Sequence, residues 1–431
     1  SLLKQYYLSR GSAPKNILLP CEIDDREAFE QLLTQQYQDG HCNHYFFPTE
    51  GWEPVTRVHS DNHLWLVMDA YHIALEEGNV SYLDTQAPYF DGGSGTIWEH
   101  IKQSIRFTTQ NMGAHGFPLM LSSDWNDMLY KVCRKGKGES IWTGMQFAVA
   151  LRMMQELAER KGEPDFAEEC KALYARQQAL CRTLAWDGAW FRRGYYASGA
   201  PLGAAENAEC RIDSVAQSFA ALSGAADPER AKTALRSAAE QLFDRKNALV
   251  RLFAPPFAGA EKPGYLVSYG PGFRENGGQY THGALWLVLA LLRTGEMEMA
   301  WTLLRAMLPA ERDTAVYKTE PFVLAADVSA VQGHEGEGGW SWYTGASGWL
   351  WRIVSEEILG LRWHGGLVYV EPRLPAALNG CRFCYLGREF QLRDGAVYVD
   401  GALYRGEGLA FPGGQAYNRD AGKPTKGDNN I

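Results

Sequence analysis

The sequence has no uninterrupted apolar run near the roughly 20 residues that a bilayer-spanning helix needs. Its start, SLLKQYYLSRGSAPKN, also lacks the charged-then-apolar order of a signal peptide. The expectation is a cytoplasmic protein with no membrane partner. Positive charge is not in excess either: 42 Lys and Arg stand against 51 Asp and Glu, a net charge of −9. No basic field is available to recruit nucleic acid through counterion release. Clustered cysteine is missing too, since Cys21, Cys42, Cys133, Cys170, Cys181, Cys210, Cys381 and Cys384 are scattered. Several fall at apolar-periodic positions, where a thiol acts as a small hydrophobe, and a disulfide framework is not expected. Cys381 and Cys384 form the one C-x-x-C, in CRFCYL, without a second pair or nearby His ligands. They read as strand residues in preference to a zinc or redox site, and neither metal nor cofactor is expected. The first residue is Ser1 and apolar residues follow at once, which reads as a fragment or a processed start.

What is present is the balance of a globular protein, 45% hydrophobic and 22% charged over 431 residues, with 14 Trp, 21 Tyr and 18 Phe. Many of these rings stand in polar, glycine-rich surroundings. Sugars offer apolar C–H faces to such rings while their hydroxyls seek carboxylates and amides, so the composition leans toward carbohydrate binding.

From about Asn62 to Leu361 the pattern is helix, glycine-rich loop, helix. Residues 140–162 put Ile141, Met145, Ala148, Leu151 and Met154 on one face, with Ser140 as N-cap. Helices are predicted over 62–78, 96–113, 140–162, 165–185, 213–224, 228–244, 280–294, 296–308 and 345–359, mostly as antiparallel pairs. The fold class is mainly α: an (α/α)6 toroid over 51–361, its inner helices lining a cleft whose loops carry the chemistry. Residues 362–415 alternate apolar and polar residues between turns and predict a small antiparallel β domain. Residues 1–50, helical at 25–38, resemble a linker, and 416–431 form a polar tail expected to be disordered.

Four inter-helix segments concentrate the reactive side chains. SSDWNDML, 122–129, holds two carboxylates, an indole and an amide. Glycosidic cleavage needs a carboxylic acid that protonates the leaving oxygen, and Asp124 or Asp127 fits, with Trp125 as sugar platform. The rival reading is a loop whose carboxylates cap backbone N–H groups. YGPGFRENGGQYTHGALW, 269–286, runs a glycine-rich loop into a helix, a natural anion site to which Arg274 and His282 add donors. It lacks the G-K-[ST] ending of a P-loop, and His282 reads equally as a satisfied helix-start histidine. HEGEGGWSWYTGASGWLWR, 334–352, enters a helix at Thr344 and Gly345. At least two of Trp340, Trp342 and Trp349 are expected to pack in the core. In TRVHSDNHLWLVMDAY, 56–71, Asp61 is either an N-cap or a ligand for sugar hydroxyls, with Arg57 nearby.

SDWND, GKGES-W, IDSVAQSFAALSG, PGFRENGGQYTHGALW, EPFVLAADV and GGWSWYTGASGWLWR occur in the order and rough spacing of glycoside hydrolase family 94. Over about residues 50–365 the chain resembles that family, which groups cellobiose, chitobiose and cellodextrin phosphorylases with the phosphorylase-like domain of cyclic β-1,2-glucan synthases. The resemblance implies Asp127 as general acid, Trp125 beside the donor sugar, and Arg57 with Asp61 as donor-site ligands. Asn62 stands where many members have a second Asp. It further implies His282, Thr344 and Gly345 as the phosphate site, with Arg274 and Glu275 toward the acceptor. Relatives carry a large N-terminal β-sandwich that is absent here, so a homodimer in the full-length form, or association with that missing sandwich, is expected.

The implied reaction is inverting phosphorolysis of a β-linked glucoside to α-glucose 1-phosphate, inorganic phosphate serving as co-substrate. One carboxylate suffices because phosphate is already an anionic nucleophile, whereas an inverting hydrolase needs a second to activate water. Two alternatives stay open: such a hydrolase, with Glu275 or Asp327 as base, and a non-catalytic sugar-binding fragment.

Overall fold

The computed structural model describes residues 25–45, 54–259 and 263–411. The tail expected at 416–431, and the parts of the linker-like segment at 1–24 and 46–50, lie outside the described residues. Among the described residues, ten helices of two turns or more carry the fold: α1 Asp25–Leu33, α2 Asn62–Glu77, α3 Ile97–Gln110, α4 Ile141–Lys161, α5 Pro164–Leu180, α6 Ser214–Leu222, α7 Pro228–Leu242, α8 Thr281–Arg293, α9 Met297–Met307 and α10 Thr344–Arg352. Several begin where a side chain satisfies the first N–H groups. Thr96 and Glu99 close a capping box on α3, Ser140 accepts from Thr143 on α4, and Asp227 caps α7 with Pro228 in its first turn. Two helices run to the ends that their apolar period predicts only by changing helical type. After Leu180 and after Arg352 the chain passes into π-helical turns, Cys181–Ala185 and Ile353–Ile358. In the second of these, buried Glu357 accepts from Arg293 at 2.7 Å and Arg362 at 2.8 Å.

Burial sorts the helices into two layers. In α8 every residue from Gly283 to Leu292 is buried, and α6 is buried from Ser214 to Ala220. By contrast α7 buries one stripe, Ala231, Ala234, Leu235, Ala238, Ala239 and Leu242, and α9 buries Ala300, Leu303, Leu304 and Met307. A helix apolar all round belongs inside, and one with a single apolar stripe covers it. At the centre Trp142 of α4 stacks on Trp286 of α8 at 5.9 Å, and Phe219 of α6 meets Trp286 edge-on at 5.0 Å.

Among the described residues the strands are short, two to six residues each. β1 Gln279–Tyr280 pairs antiparallel with β2 Asp327–Val328, Tyr280 opposite Asp327. This pairing ties the loop entering α8 to the loop preceding α10. After the helices come a hairpin, β3 Leu361–His364 with β4 Leu367–Val370, and a four-stranded antiparallel meander: β5 Arg382–Tyr385, β6 Arg388–Arg393, β7 Ala396–Val399 and β8 Ala402–Leu403. Alternate residues point inward, so Val368, Val370, Phe390, Leu392, Val397 and Val399 build a separate apolar cluster. Cys384 lies within β5 and Cys381 just before it, both as free thiols. The hairpin turn seats against the end of α2, where Gly366 donates to the Leu75 carbonyl at 3.1 Å. A side chain at Gly78, whose φ is +72°, would collide with the Gly365 backbone at 2.6 Å. Among the described residues no helix is long and apolar enough to cross a membrane.

Candidate active site

The two carboxylates of the 122–129 loop part company in the structure. Asp124 is fully buried: Arg193 donates to it through both terminal nitrogens, at 2.6 and 2.7 Å, and Ser140 donates at 2.6 Å. It also accepts from the Asn126 N–H at 3.1 Å. Asp124 is therefore committed to holding the loop, as the capping reading described. Asp127 is not. It opens a short 3-10 turn, Asp127–Leu129, that Asn126 caps by accepting from Met128, and its own side chain is 46% exposed. Among the described residues its nearest basic group is one that motif reading missed: His44 Nε2 lies 3.7 Å from Asp127 Oδ2. The His44 ring stacks on His59 at 3.7 Å, and burial, reinforced by the His44 ring, pulls the His59 imidazole down to about 4. His59 stood inside the 56–71 segment without being singled out, and His44 belongs to no motif.

Asp61 occupies the N-cap position of α2 but makes no side-chain cap bond. Capping is overturned here because Trp65, one turn on, donates its indole N–H to Asp61 Oδ2 at 3.1 Å. The other oxygen is buried without a hydrogen-bond partner. Burial, with the charge of Asp124 adding to it, pushes the Asp61 carboxyl up to about 7. Arg57 is exposed, and its charge acts on the same Tyr265 phenol that the charges of Asp127 and Glu275 reach.

The 269–282 loop is wired from within. Buried Asn276 bonds both backbone groups of Phe257, and its amide also donates to the Tyr269 carbonyl at 2.8 Å. Arg274 adopts a left-handed φ of +49°. Its guanidinium donates to the Tyr269 hydroxyl at 3.2 Å, lies 3.4 Å from Glu275 Oε2 and sits 4.8 Å over the Trp340 ring. Glu275 is buried, and burial raises its carboxyl, the charges of Asp127 and Asp327 adding to the effect. Arg274, Glu275, Asp127 and Asp327 thus share one electrostatic neighbourhood. Asp327 itself is buried, accepts from the Trp340 N–H at 3.1 Å and is boxed in by Gly339, where a Cβ would come within 2.2 Å.

His282, Thr344 and Gly345, taken from segments about 60 residues apart in the sequence, line one cavity of about 290 Å³ with Tyr280, Ala326, Tyr343 and Ala346. Burial holds His282 down to about 3, so the ring is neutral, and its Nε2 is buried without a partner. Its faces are fixed by Trp286 at 4.6 Å, Trp125 at 5.3 Å and Trp349 at 6.1 Å. Trp125 therefore bridges the acid loop to this cavity, and also meets Tyr280 at 5.5 Å. Where at least two of the tryptophans 340, 342 and 349 were expected in the core, only Trp349 packs there. Trp340 and Trp342 are 52% and 49% exposed, because the former caps Arg274 and the latter reaches out to Glu320 at 2.9 Å.

The chain is 37% identical over 371 residues to the cyclic beta-(1,2)-glucan synthase NdvB of Rhizobium meliloti (strain 1021), across 80% of this chain and 13% of that protein. It is 29% identical over 362 residues to the solabiose phosphorylase of Paenibacillus borealis, across 83% of this chain and 46% of that enzyme. The chain thus spans less than half the length of these curated relatives. In fold it is similar to the GH63 mannosylglycerate hydrolase of Thermus thermophilus, with a TM-score of 0.53 at 13% identity, covering 76% of this chain and 89% of that one. The family model for the glycosyl hydrolase 94 superfamily catalytic domain matches residues 23–360, which contain the acid loop, the Asp61 segment and the His282 cavity alike. This chain belongs to glycoside hydrolase family 94.

Proposed function

We propose that the chain is the catalytic part of an inverting glycoside phosphorylase, cleaving a β-linked glucoside with inorganic phosphate to give α-glucose 1-phosphate and a shortened acceptor. The observation that carries this reading is the cavity shared by His282, Thr344 and Gly345, joined by Trp125 to the loop that presents Asp127. A neutral imidazole, a hydroxyl and the free N–H groups at the start of α10 are hydrogen-bond donors, and the helix end favours an anion. Phosphate held there attacks the anomeric carbon while the glycosidic C–O bond breaks and the Asp127 proton passes to the leaving oxygen. Asp61 and Arg57 hold the donor sugar, with Trp125 beneath it. Arg274 and Glu275 line the acceptor side, with the exposed Trp340 ring beside Arg274.

Paired helices of this kind form an (α/α)6 toroid in our reading, with α2, α4, α6 and α8 at inner positions. In the whole protein a homodimer contact or an N-terminal β-sandwich closes one wall of the cleft. Among related phosphorylases the named substrates differ: solabiose for one from Paenibacillus borealis, N,N'-diacetylchitobiose for one from Vibrio furnissii. Acceptor identity is therefore left to experiment. A hydrolase is disfavoured because Asp327 is enclosed and Glu275 buried, which leaves neither carboxylate open to a water. The test is incubation with a panel of β-linked glucose disaccharides, with and without phosphate, beside an Asp127→Asn control. Phosphate-dependent glucose 1-phosphate, lost in the variant, is expected; sugar release independent of phosphate would overturn the reading.

A further inference from the structure

We propose that His44 is a positioning residue for the acid, its Nε2–H holding Asp127 Oδ2 so that the proton given to the glycosidic oxygen leaves from Oδ1. The inference rests on Asp127 being that acid. His44 is fixed through both backbone and ring. Its N–H donates to the Val55 carbonyl at 2.7 Å and Val55 donates back to Tyr45 at 2.9 Å, which pins the backbone. Its ring lies on that of buried His59, with an interplanar angle of 19°.

The neighbouring amide favours one ring nitrogen as the carrier of hydrogen. Asn62 Nδ2 lies 3.3 Å from the Asn43 carbonyl and 3.5 Å from His44 Nδ1. A carbonyl oxygen can only accept, so the NH2 end of Asn62 faces this pair, and its second hydrogen points at Nδ1. Nδ1 then holds the lone pair. In a neutral imidazole the proton must sit on Nε2, the atom 3.7 Å from Asp127 Oδ2. Closing that gap to a hydrogen bond takes under about 1 Å, of the kind that substrate binding supplies in catalytic sites.

The chemical consequence follows from sign. In a protonated carboxyl group the carbonyl oxygen is the better acceptor, so a donor at Oδ2 favours the carboxylic proton on Oδ1. As that proton leaves, negative charge grows on the carboxyl group and the Nε2–H···Oδ2 bond becomes charge-assisted. The bond is thus stronger at the transition state than in the ground state, which is the condition for raising kcat without lowering KM.

The experiment compares His44→Phe, which keeps a stacking ring, with His44→Gln, whose amide N–H can reach the same oxygen. On a disaccharide, His44→Phe should lose about 10- to 100-fold in kcat with KM little changed, the loss expected for a hydrogen bond to a charged group. His44→Gln should recover most of it. With a p-nitrophenyl β-glucoside, whose leaving group needs no proton, both variants should approach the parent rate. Equal losses in Phe and Gln variants, or the same loss on both substrates, would mean a merely structural role and overturn the inference. Nitrogen-15 NMR of the imidazoles reads the same point without turnover: His44 should be the Nε2–H tautomer, with a resonance that moves in Asp127→Asn. An Nδ1–H tautomer defeats the proposal whatever the activity. A parent chain that reads as Nε2–H yet consumes no β-glucoside with phosphate would instead count against the phosphorylase reading.

Discussion

Arg193 grips Asp124 through both guanidinium terminal nitrogens, at 2.6 and 2.7 Å, and neither side chain has any solvent exposure. The same guanidinium lies 3.4 Å from Asp213 Oδ2. This buried set underlies the acid loop, tying 122–126 to the start of α4 through Ser140 and to the start of α6 through Asp213, its N-cap. Removing one member leaves an uncompensated buried charge. Arg193→Met is expected to cost roughly 3–5 kcal/mol of stability, read as a shift in the urea midpoint. A cost below about 1 kcal/mol, the value typical of surface pairs, would contradict the buried geometry.

Asp127 predicts the opposite separation. Half-exposed and outside the Arg193 network, it can be changed to Asn with no loss of packing. Asp127→Asn should lower kcat for disaccharide phosphorolysis by roughly 10²–10⁴-fold, the usual share of a general acid. Its melting temperature should match the parent. A variant that loses activity only in proportion to a lowered melting temperature would place Asp127 with Asp124, among the structural carboxylates.

The contrast between these neighbours shows what was legible beforehand. SSDWNDML marks a chemically dense loop, but only two residues separate a loop anchor from a candidate acid, and the partner that decides between them, Arg193, is distant in the sequence. Helices were readable because a 3.6-residue apolar period is a local property: Ser140, Gly162 and the stripe between them bound α4 without reference to anything else. His282, Thr344 and Gly345 could be marked as loop-to-helix residues, yet their meeting depends on the β1–β2 pairing that draws Tyr280 against Asp327. Asp61 stayed ambiguous because position alone implies a cap, while Trp65 competes for the same carboxylate. His44 had no local signature at all, since its contact with Asp127 is made purely by tertiary packing.

Gly345 gives a test confined to the anion cavity. A Cβ there would stand 3.1 Å from His282 Nδ1, inside ordinary contact distance, at a site that is otherwise exposed. Alanine is a better helix former than glycine, so α10 should not suffer. Gly345→Ala is expected to raise the KM for phosphate about tenfold, equivalent to ~1.4 kcal/mol, while the KM for sugar stays put. Steady-state kinetics with each substrate varied in turn decides it. A rise in sugar KM alone would assign this cavity to the glucoside.

Asp61 carries a pH dependence whose sign can be worked out. Its carboxyl moves from 3.8 to about 7 on folding, so between those values the native state holds a proton that the unfolded chain has released. Stability from this group is therefore present at low pH and is lost as pH rises through about 7. His59, lowered from 6.5 to about 4, acts in the opposite sense: its contribution grows as pH rises across that interval. The raw stability curve mixes the two, and the difference between Asp61→Asn and parent isolates the first. Asparagine keeps an oxygen for the Trp65 indole and never ionises. The variant should match the parent near pH 4, then gain on it up to pH 7 and hold the gain above, by at most ~4 kcal/mol for a shift of about 3 units. Urea titrations at pH 4, 5.5, 7 and 8 measure this directly. Binding should move the other way, with weaker glucoside affinity in the variant, because a buried carboxylate oxygen with no partner of its own is the acceptor that a sugar hydroxyl would satisfy. A difference that stays constant across the four pH values would show that Asp61 ionises alike in both states, and with it the argument that this carboxylate is held unsatisfied for substrate would fall.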